Sequence, residues 1–320
     1  MDYNYEINKL KNDIPSNLYF IYGPEDYLRN LYLNELKIAC VGSDDAFGYY
    51  QYDDFPDDKV ISNSINTLPF ISDRTFIEIK NASVNKLSES IVDILRNIPD
   101  YCTVAISCAS DYNPDKRLKV IKFLIDSSYV LNFEAQDSSK LSKWIKRRFS
   151  AAGKNITSDA IDQLIFISGN LMNSLIPEID KISSYSENET VTAEDVNAVA
   201  NHIPEYDAFS LVNLVSQKKY NDALSLLSEL LNQKNMEPIV LISALAYEYR
   251  QLFAAKIGVF NNGNDYRSKL MRKTSGNFTI NQLRYAVNLC AEMEFNMKNS
   301  LFQASDILIN TVVKLIAQEA

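Results

Sequence analysis

Glycine is scarce, with eight in 320 residues. That poverty argues against a glycine-rich loop wrapped around phosphate and suits a helix-rich chain. Histidine is scarcer still: His202 stands alone. A Ser-His-Asp triad or a multi-histidine metal site would have to be built around that one ring. Its neighbours, ANHIPEY, read instead as a helix end followed by a proline-marked linker. The four cysteines, Cys40, Cys102, Cys108 and Cys290, form no Cys-x-x-Cys pair, so neither a zinc site nor a disulfide framework is indicated. Cys102 and Cys108 share one apolar run and are expected in a core. No run approaches the ~20 apolar residues that span a bilayer. The opening residues, MDYNYEINKL, lack the basic-then-apolar order of a secretion signal. No membrane association is expected, and a reducing cytoplasm is the expected location. An excess of positive charge is missing too. The net charge of -9 disfavours a protein that coats nucleic acid over its whole surface, though a local basic groove remains compatible with it.

What is present is ordinary globular material. The chain is 46% hydrophobic and 23% charged, enough apolar surface to fold, and 320 residues suggest two or three domains. Up to residue 137 two periods alternate. Strand-like runs lie at 17–23, 47–54, 74–80, 102–109 and 129–135. Helical patterns lie between them: 25–39 with Leu28, Leu31, Tyr32, Leu36 and Ala39 on one face, 57–66, 84–98 with Leu87, Ile91, Ile94 and Leu95 inward, and 115–126. Strand and helix alternating at this spacing predict βαβ units in a mainly parallel sheet, hence an α/β domain over 1–137.

From residue 137 onward no strand is predicted. Short helices at 138–153, 157–168, 171–186 and 192–200 make a compact all-α unit over 138–203; Pro177 is a candidate kink, and Thr192-x-x-Asp195 reads as a capping box. Longer helices fill 204–320. Leu224, Leu227, Leu230 and Leu231 form one stripe, a helix opens at Pro238 and ends at Gly258, and residues 261–270 read as a polar loop running into a helix. Two last helices, near 279–298 and 302–318, bury Leu283, Val287, Cys290, Ile307, Leu308, Val312 and Leu315. Stripes this regular mean a bundle or a face for a neighbouring subunit.

The first strand–turn–helix reads FIYGPEDYLRN. A P-loop here needs G-x-x-x-x-G-K-[ST], so that backbone N–H groups wrap the phosphates, lysine meets the terminal charges and a hydroxyl holds Mg²⁺. Only Gly23 is present. Glu25 and Asp26 put negative charge at the helix N-terminus, where they suit the dipole and repel a triphosphate. The fourth run, VAISCAS, lacks the Asp-Glu pair that would hold Mg²⁺. No cofactor and no metal are expected, and no intrinsic ATPase activity.

Two other stretches stand out. NTLPFISDRT (66–75) gathers Leu68, Pro69, Phe70 and Ile71 in a connection. It precedes a strand, so it lies at the sheet edge opposite the ligand crevice of open α/β sheets. Either its apolar residues tuck into the domain's own core or they project at a partner. Lys143, Lys146, Arg147, Arg148 and Lys154 surround Trp144 with no acidic residue from 143 to 154. They offer a surface for a DNA backbone; the alternative is a solvated helix face with Trp144 packed at a domain junction. Tyr247, Tyr249 and Arg250 suit subunit contact or plain packing equally.

The stretches YFIYGPEDYLRN, TLPFISDRTFIEIK, WIKRRFSAAGKNI, LIPEIDKI, VTAEDV, DAFSLV and ALSLLSELL occur in this order. Together they resemble the delta subunit of the bacterial DNA polymerase III clamp loader, over nearly the whole chain. The resemblance implies an AAA+-like α/β domain, a small helical lid and a helical collar that joins a ring of loader subunits, matching the blocks 1–137, 138–203 and 204–320. It implies a degenerate P-loop at Gly23, Glu25 and Asp26. Met172 stands where ATP-binding relatives carry a lid arginine, and Ser127-Ser128-Tyr129 stands where others carry Ser-Arg-Cys. It also implies that the apolar pair after residue 67 enters a pocket of the sliding clamp. Phe70 matches the family's aromatic, Pro69 stands where some members have leucine, and Ile71 is its neighbour. The implied partners are the sliding clamp, the other loader subunits and primed DNA. ATP bound by sister subunits would time exposure of the tip. An ATPase motor subunit with an unusual P-loop and an unrelated helical adaptor with an α/β head are the competing readings.

Overall fold

The structure, a computed structural model, describes residues 3–42, 47–233, 236–259, 266–299 and 303–319. Its contacts divide into two compact units: residues 1–137 with 171–173, and residues 138–170 with 174–320.

The first unit runs α1 (Tyr3–Asn12), β1 (Leu18–Tyr22), α2 (Asp26–Val41), β2 (Tyr49–Asp53), α3 (Asp58–Asn66), β3 (Thr75–Lys80), α4 (Glu89–Arg96), β4 (Cys102–Ser107), α5 (Lys119–Ser127) and β5 (Tyr129–Asn132). The five strands form one parallel sheet in the order β2-β3-β4-β1-β5. Central strands are apolar because both faces are covered. On one face Phe20, Ile77, Ile79, Val104 and Ile106 meet Ile61, Ile65, Ile91, Leu95, Ile121 and Leu124 from α3, α4 and α5. On the other, Tyr19 lies tilted against Tyr32 of α2 and Tyr129 of β5. Cys102 and Cys108 are core residues, and all four cysteines are buried and unpaired.

Local chemistry moves several expected boundaries. The 84–98 helix is broken: Val84–Lys86 is a 3₁₀ turn, Leu87 is extended, and Ser88 starts α4 by accepting a hydrogen bond from Ile91 N at 3.3 Å. Ile91 and Leu95 are buried, whereas Leu87 and Ile94 are only half-buried. The helix expected from 115 begins at Lys119, because Asp115 takes hydrogen bonds from Arg117 N and Nε and closes a local turn. On α2, Leu31 and Ala39 face outward, while Arg29, Leu33 and Cys40 turn in; Arg29 is drawn inward by Gly23 O. Helix α1 was not foreseen, since only Leu10 of its ten residues is buried.

The second unit contains α6 (Ser138–Ala151), β6 (Asn155–Ile156), α7 (Ser158–Ser168), most of α8 (Met172–Tyr185), β7 (Thr190–Val191), α9 (Ala193–Val199), α10 (Pro204–Ser216), α11 (Tyr220–Asn232), α12 (Pro238–Lys256), α13 (Tyr266–Gly276), α14 (Ile280–Asn299) and α15 (Ala304–Glu319). The expectation of no strand after 137 is corrected by β6 and β7, which pair in parallel. Two residues each are too few to write an alternation into the sequence. The Thr192–Asp195 capping box is formed, and α8 runs through Pro177. The bundle core joins Leu227, Leu230, Leu241, Leu245, Tyr249, Leu283, Cys290, Leu308, Val312 and Leu315. Leu224, assigned to that stripe, is 39% exposed, and Leu231, Val287 and Ile307 sit at the core's edge. Residues 261–265 of the expected polar loop, and residue 302 at the start of the last expected helix, lie outside the described residues.

Candidate functional site

Helix α3 stops at Asn66. Thr67 is extended, and its hydroxyl donates to Asn63 O at 2.8 Å, finishing the last turn. The next four residues turn outward. Leu68 is 70% exposed, Phe70 92% and Ile71 66%, with Pro69 half-buried between them. The chain is then caught again: Ser72 Oγ donates to Arg74 O at 2.7 Å, and Arg74 donates from Nε to Thr103 Oγ1 at 3.2 Å and from Nη2 to Asn17 Oδ1 at 2.7 Å. The loop is therefore held by the last turn of α3 at one end and by Arg74 to the edge where the strands begin at the other, with its apolar tip exposed between them. Large apolar side chains left this exposed at adjacent positions mark an interaction surface.

At the opposite edge lies the crevice where the strand order changes direction around β1, the usual ligand position of open α/β sheets. Gly23 has φ +112, and a Cβ there would meet Phe133 O at 2.5 Å, so this glycine is required by the turn. Glu25 N donates to Phe133 O at 2.9 Å. The Glu25 side chain is fully buried, and its Oε2 accepts from Met172 N at 3.2 Å within the same unit. Oε1 has no partner. Burial pushes this carboxyl's pKa up, while the N–H groups of Met172 and Tyr27 oppose the rise. Asp26 holds Arg29 and accepts from Ser110 Oγ at 2.7 Å; Arg29 Nη1 donates to Gly23 O at 2.9 Å. Two carboxyl groups thus take the helix N-terminus that a phosphate would need, and the neighbouring guanidinium is held by Asp26 and the Gly23 carbonyl. These residues do not fit a nucleoside triphosphate. Of 127–129, Tyr129 is tied to α1: its hydroxyl donates to Glu6 at 2.7 Å and receives Lys9 Nζ at 3.0 Å.

The basic cluster divides. Leu141, Ile145 and Phe149 bury one face of α6, leaving Lys143, Lys146 and Arg147 exposed. Arg148 lies over the half-buried Trp144 ring, 5.6 Å from its centroid. Lys154 turns away from the helix: Nζ donates to Ser186 O at 2.7 Å and Asn188 O at 2.8 Å, supporting the carbonyl end of α8. Tyr249 is core, Arg250 is exposed, and Tyr247 is half-exposed beneath Arg267. His202 sits in the linker before α10, with Nδ1 3.0 Å from Asp207 Oδ1 and its ring against Tyr206.

A family model described as DNA polymerase III, delta subunit matches residues 19–134, and one for the C-terminal domain of the same subunit matches residues 205–315. The chain belongs to the DNA polymerase III delta subunit family. It is 22% identical to the DNA polymerase III subunit delta of Bacillus subtilis, with 88% of this chain and 87% of that one covered. Identity to the probable delta subunit of Aquifex aeolicus is 20%, covering 91% and 84%. In fold it resembles the Bacillus subtilis DNA clamp loader delta protein, with a TM-score of 0.56 at 19% identity over 99% of this chain and 100% of the other. A parallel-sheet head followed by helical segments is thus the delta-subunit architecture of the clamp-loader type. Among the described residues no helix is long and apolar enough to cross a membrane.

The candidate site also involves residues that the sequence reading does not single out. Asn17, Arg74 and Thr103 anchor the tip, yet they come from three separate segments, and only the strand register brings them together. Arg29 carried a signal that was overlooked: an arginine three residues after Asp26 on an otherwise apolar helix face.

Proposed function

We propose that this delta-family chain binds the sliding clamp through Leu68, Pro69, Phe70 and Ile71 and favours an opened form of the ring for loading on primed DNA. The exposure of Phe70, 92% on a loop pinned at both ends, carries this reading. A phenylalanine kept in water by a rigid base is already paid for in folding entropy and gains its hydrophobic free energy only when a partner covers it. Such a prong needs no chemistry of its own. It shifts the ring between closed and open forms by the difference in its affinity for the two.

On this proposal residues 138–203 act as a lid and 204–320 as a collar that joins the other clamp-loader subunits in the cytoplasm. Lys143, Lys146 and Arg147 form the DNA-facing stripe, and their exposure on one helix supports that role. Nucleotide is handled by the sister subunits, a division of labour supported by the carboxylates at the crevice of this head. The deciding experiment is a binding titration of the purified chain against the sliding clamp of the same organism, with Phe70→Ala alongside. Saturable binding lost in the variant supports the proposal; no binding by the folded wild-type chain defeats it.

A further inference from the structure

We propose that the clamp surface has a second part: a groove beside the prong that receives a further apolar segment of the same clamp. The inference rests on the clamp-binding proposal and extends it to residues outside the 66–75 stretch.

The groove is about 750 Å³. Its walls come from the turn after α1, the C-terminal end of α2 and the far side of the prong loop, with Lys11, Ile14, Ala39, Gly42, Ile71 and Arg74 among the lining residues. Ile14 is 83% exposed, second only to Phe70 among the large apolar side chains of the described residues. Asp13 N closes α1 on Lys9 O, and Ser16 N donates to Tyr19 Oη at 3.1 Å, so the turn around Ile14 is braced at both sides while its side chain points away. This is the arrangement found at the prong, repeated on an adjoining element.

Ile71 belongs to both surfaces: it sits beside Phe70 at the tip, and it lines the groove. Arg74 also serves both, since its guanidinium fixes the prong from below while the residue forms a groove wall. The groove therefore adjoins the tip through Ile71 and reaches Ile14 on its other wall. Area points the same way. One phenylalanine with two aliphatic neighbours covers roughly 500 Å², short of the ~800 Å² that each partner of a stable complex buries. The adjoining groove is where the remainder is available. Its lining sets Lys11 and Arg74 against Asp13 and Asp73, so the charge is balanced. That suits an apolar segment with a polar border, and not a strongly charged one.

The test is a calorimetric titration of the full chain with the sliding clamp of the same organism, using wild type, Ile14→Asp, Ala39→Glu, Phe70→Ala, and Phe70→Ala combined with Ile14→Asp. Ile14 and Ala39 are exposed on different elements, so agreement between them separates groove loss from local damage. Thermal melts confirm that each variant folds. The expected result is a loss of about fivefold or more in affinity for each groove variant, adding to the Phe70→Ala loss in the double variant. If Phe70→Ala weakens binding while both groove variants bind as wild type, the groove is not part of the surface and the prong stands alone. Failure of folded wild type to bind at all overturns both proposals. Wild-type self-association that Ile14→Asp disperses, with clamp affinity unchanged, would assign the groove to a second copy of this chain and overturn the inference.

Discussion

Arg74 and Asn17, separated by 57 residues, are joined by a 2.7 Å hydrogen bond beneath the apolar tip. The same guanidinium reaches Thr103, so one side chain ties the loop to the starts of two strands. Arg74→Ala should leave Phe70 in place chemically and free its base. We expect faster hydrogen exchange over 67–74 and a severalfold weaker clamp affinity, because ordering the loop then costs free energy at binding. Exchange at wild-type rates in this loop would show that the anchor is dispensable.

Phe70→Ala should leave the melting temperature nearly unchanged, since the ring touches little of its own unit. Clamp binding should weaken tenfold or more, equivalent to about 1.4 kcal/mol. A large drop in stability with wild-type affinity is the opposite pattern and would place the ring in a structural role.

At the crevice, Glu25→Ala removes the acceptor for Met172 N and leaves a cavity where a fully buried side chain stood. A loss of about 1–3 kcal/mol is expected in denaturant melts. Glu25→Gln keeps an oxygen for Met172 N and nearly the same volume, so its loss should be less than half as large. Equal losses in the two variants would mean that negative charge itself is required.

Much of the head was legible because its grammar is simple. Parallel strands covered on both faces must be apolar, and Leu18–Tyr22 and Cys102–Ser107 are written that way. Helix α1 escaped because YNYEINKLKN is polar along most of its surface and buries one leucine. Lys154 was grouped with its basic neighbours since charge is visible in a sequence, whereas its partners, the carbonyls of Ser186 and Asn188, are not. The prong was placed at the correct edge by connectivity alone. Its outward direction was not decidable from the residues, because a short apolar stretch has the same composition whether it tucks in or projects.

In the helical unit, Glu248 is fully buried against Arg267, with Oε2 unpartnered among the described residues. Burial pushes its pKa up to about 7; Arg267 pulls down and Glu205 adds to the rise. A folded-state value above the unfolded one means the folded chain binds the extra proton. The stabilising contribution is therefore complete below the unfolded carboxyl value and is lost as pH rises through about 7. Wild type should lose melting temperature between pH 5 and pH 8 relative to Glu248→Gln, which carries no such proton. Parallel melting curves for the two would refute this.

The basic residues separate by salt dependence. Lys143→Ala with Arg147→Ala should weaken binding to primed DNA and flatten the plot of log affinity against log salt by about 0.9 per lost phosphate contact. Lys154→Ala should leave that slope alone and lower stability by about 1 kcal/mol, because it removes two hydrogen bonds to main-chain carbonyls. A change of slope in Lys154→Ala would return that residue to the DNA surface.

The carboxylate of Glu25 is covalently part of the chain, so it is present at a fixed one-to-one ratio and never dissociates. A stopper of this kind has no off-rate. On the proposed function, any timing this head follows would then reach it mechanically, through neighbouring subunits.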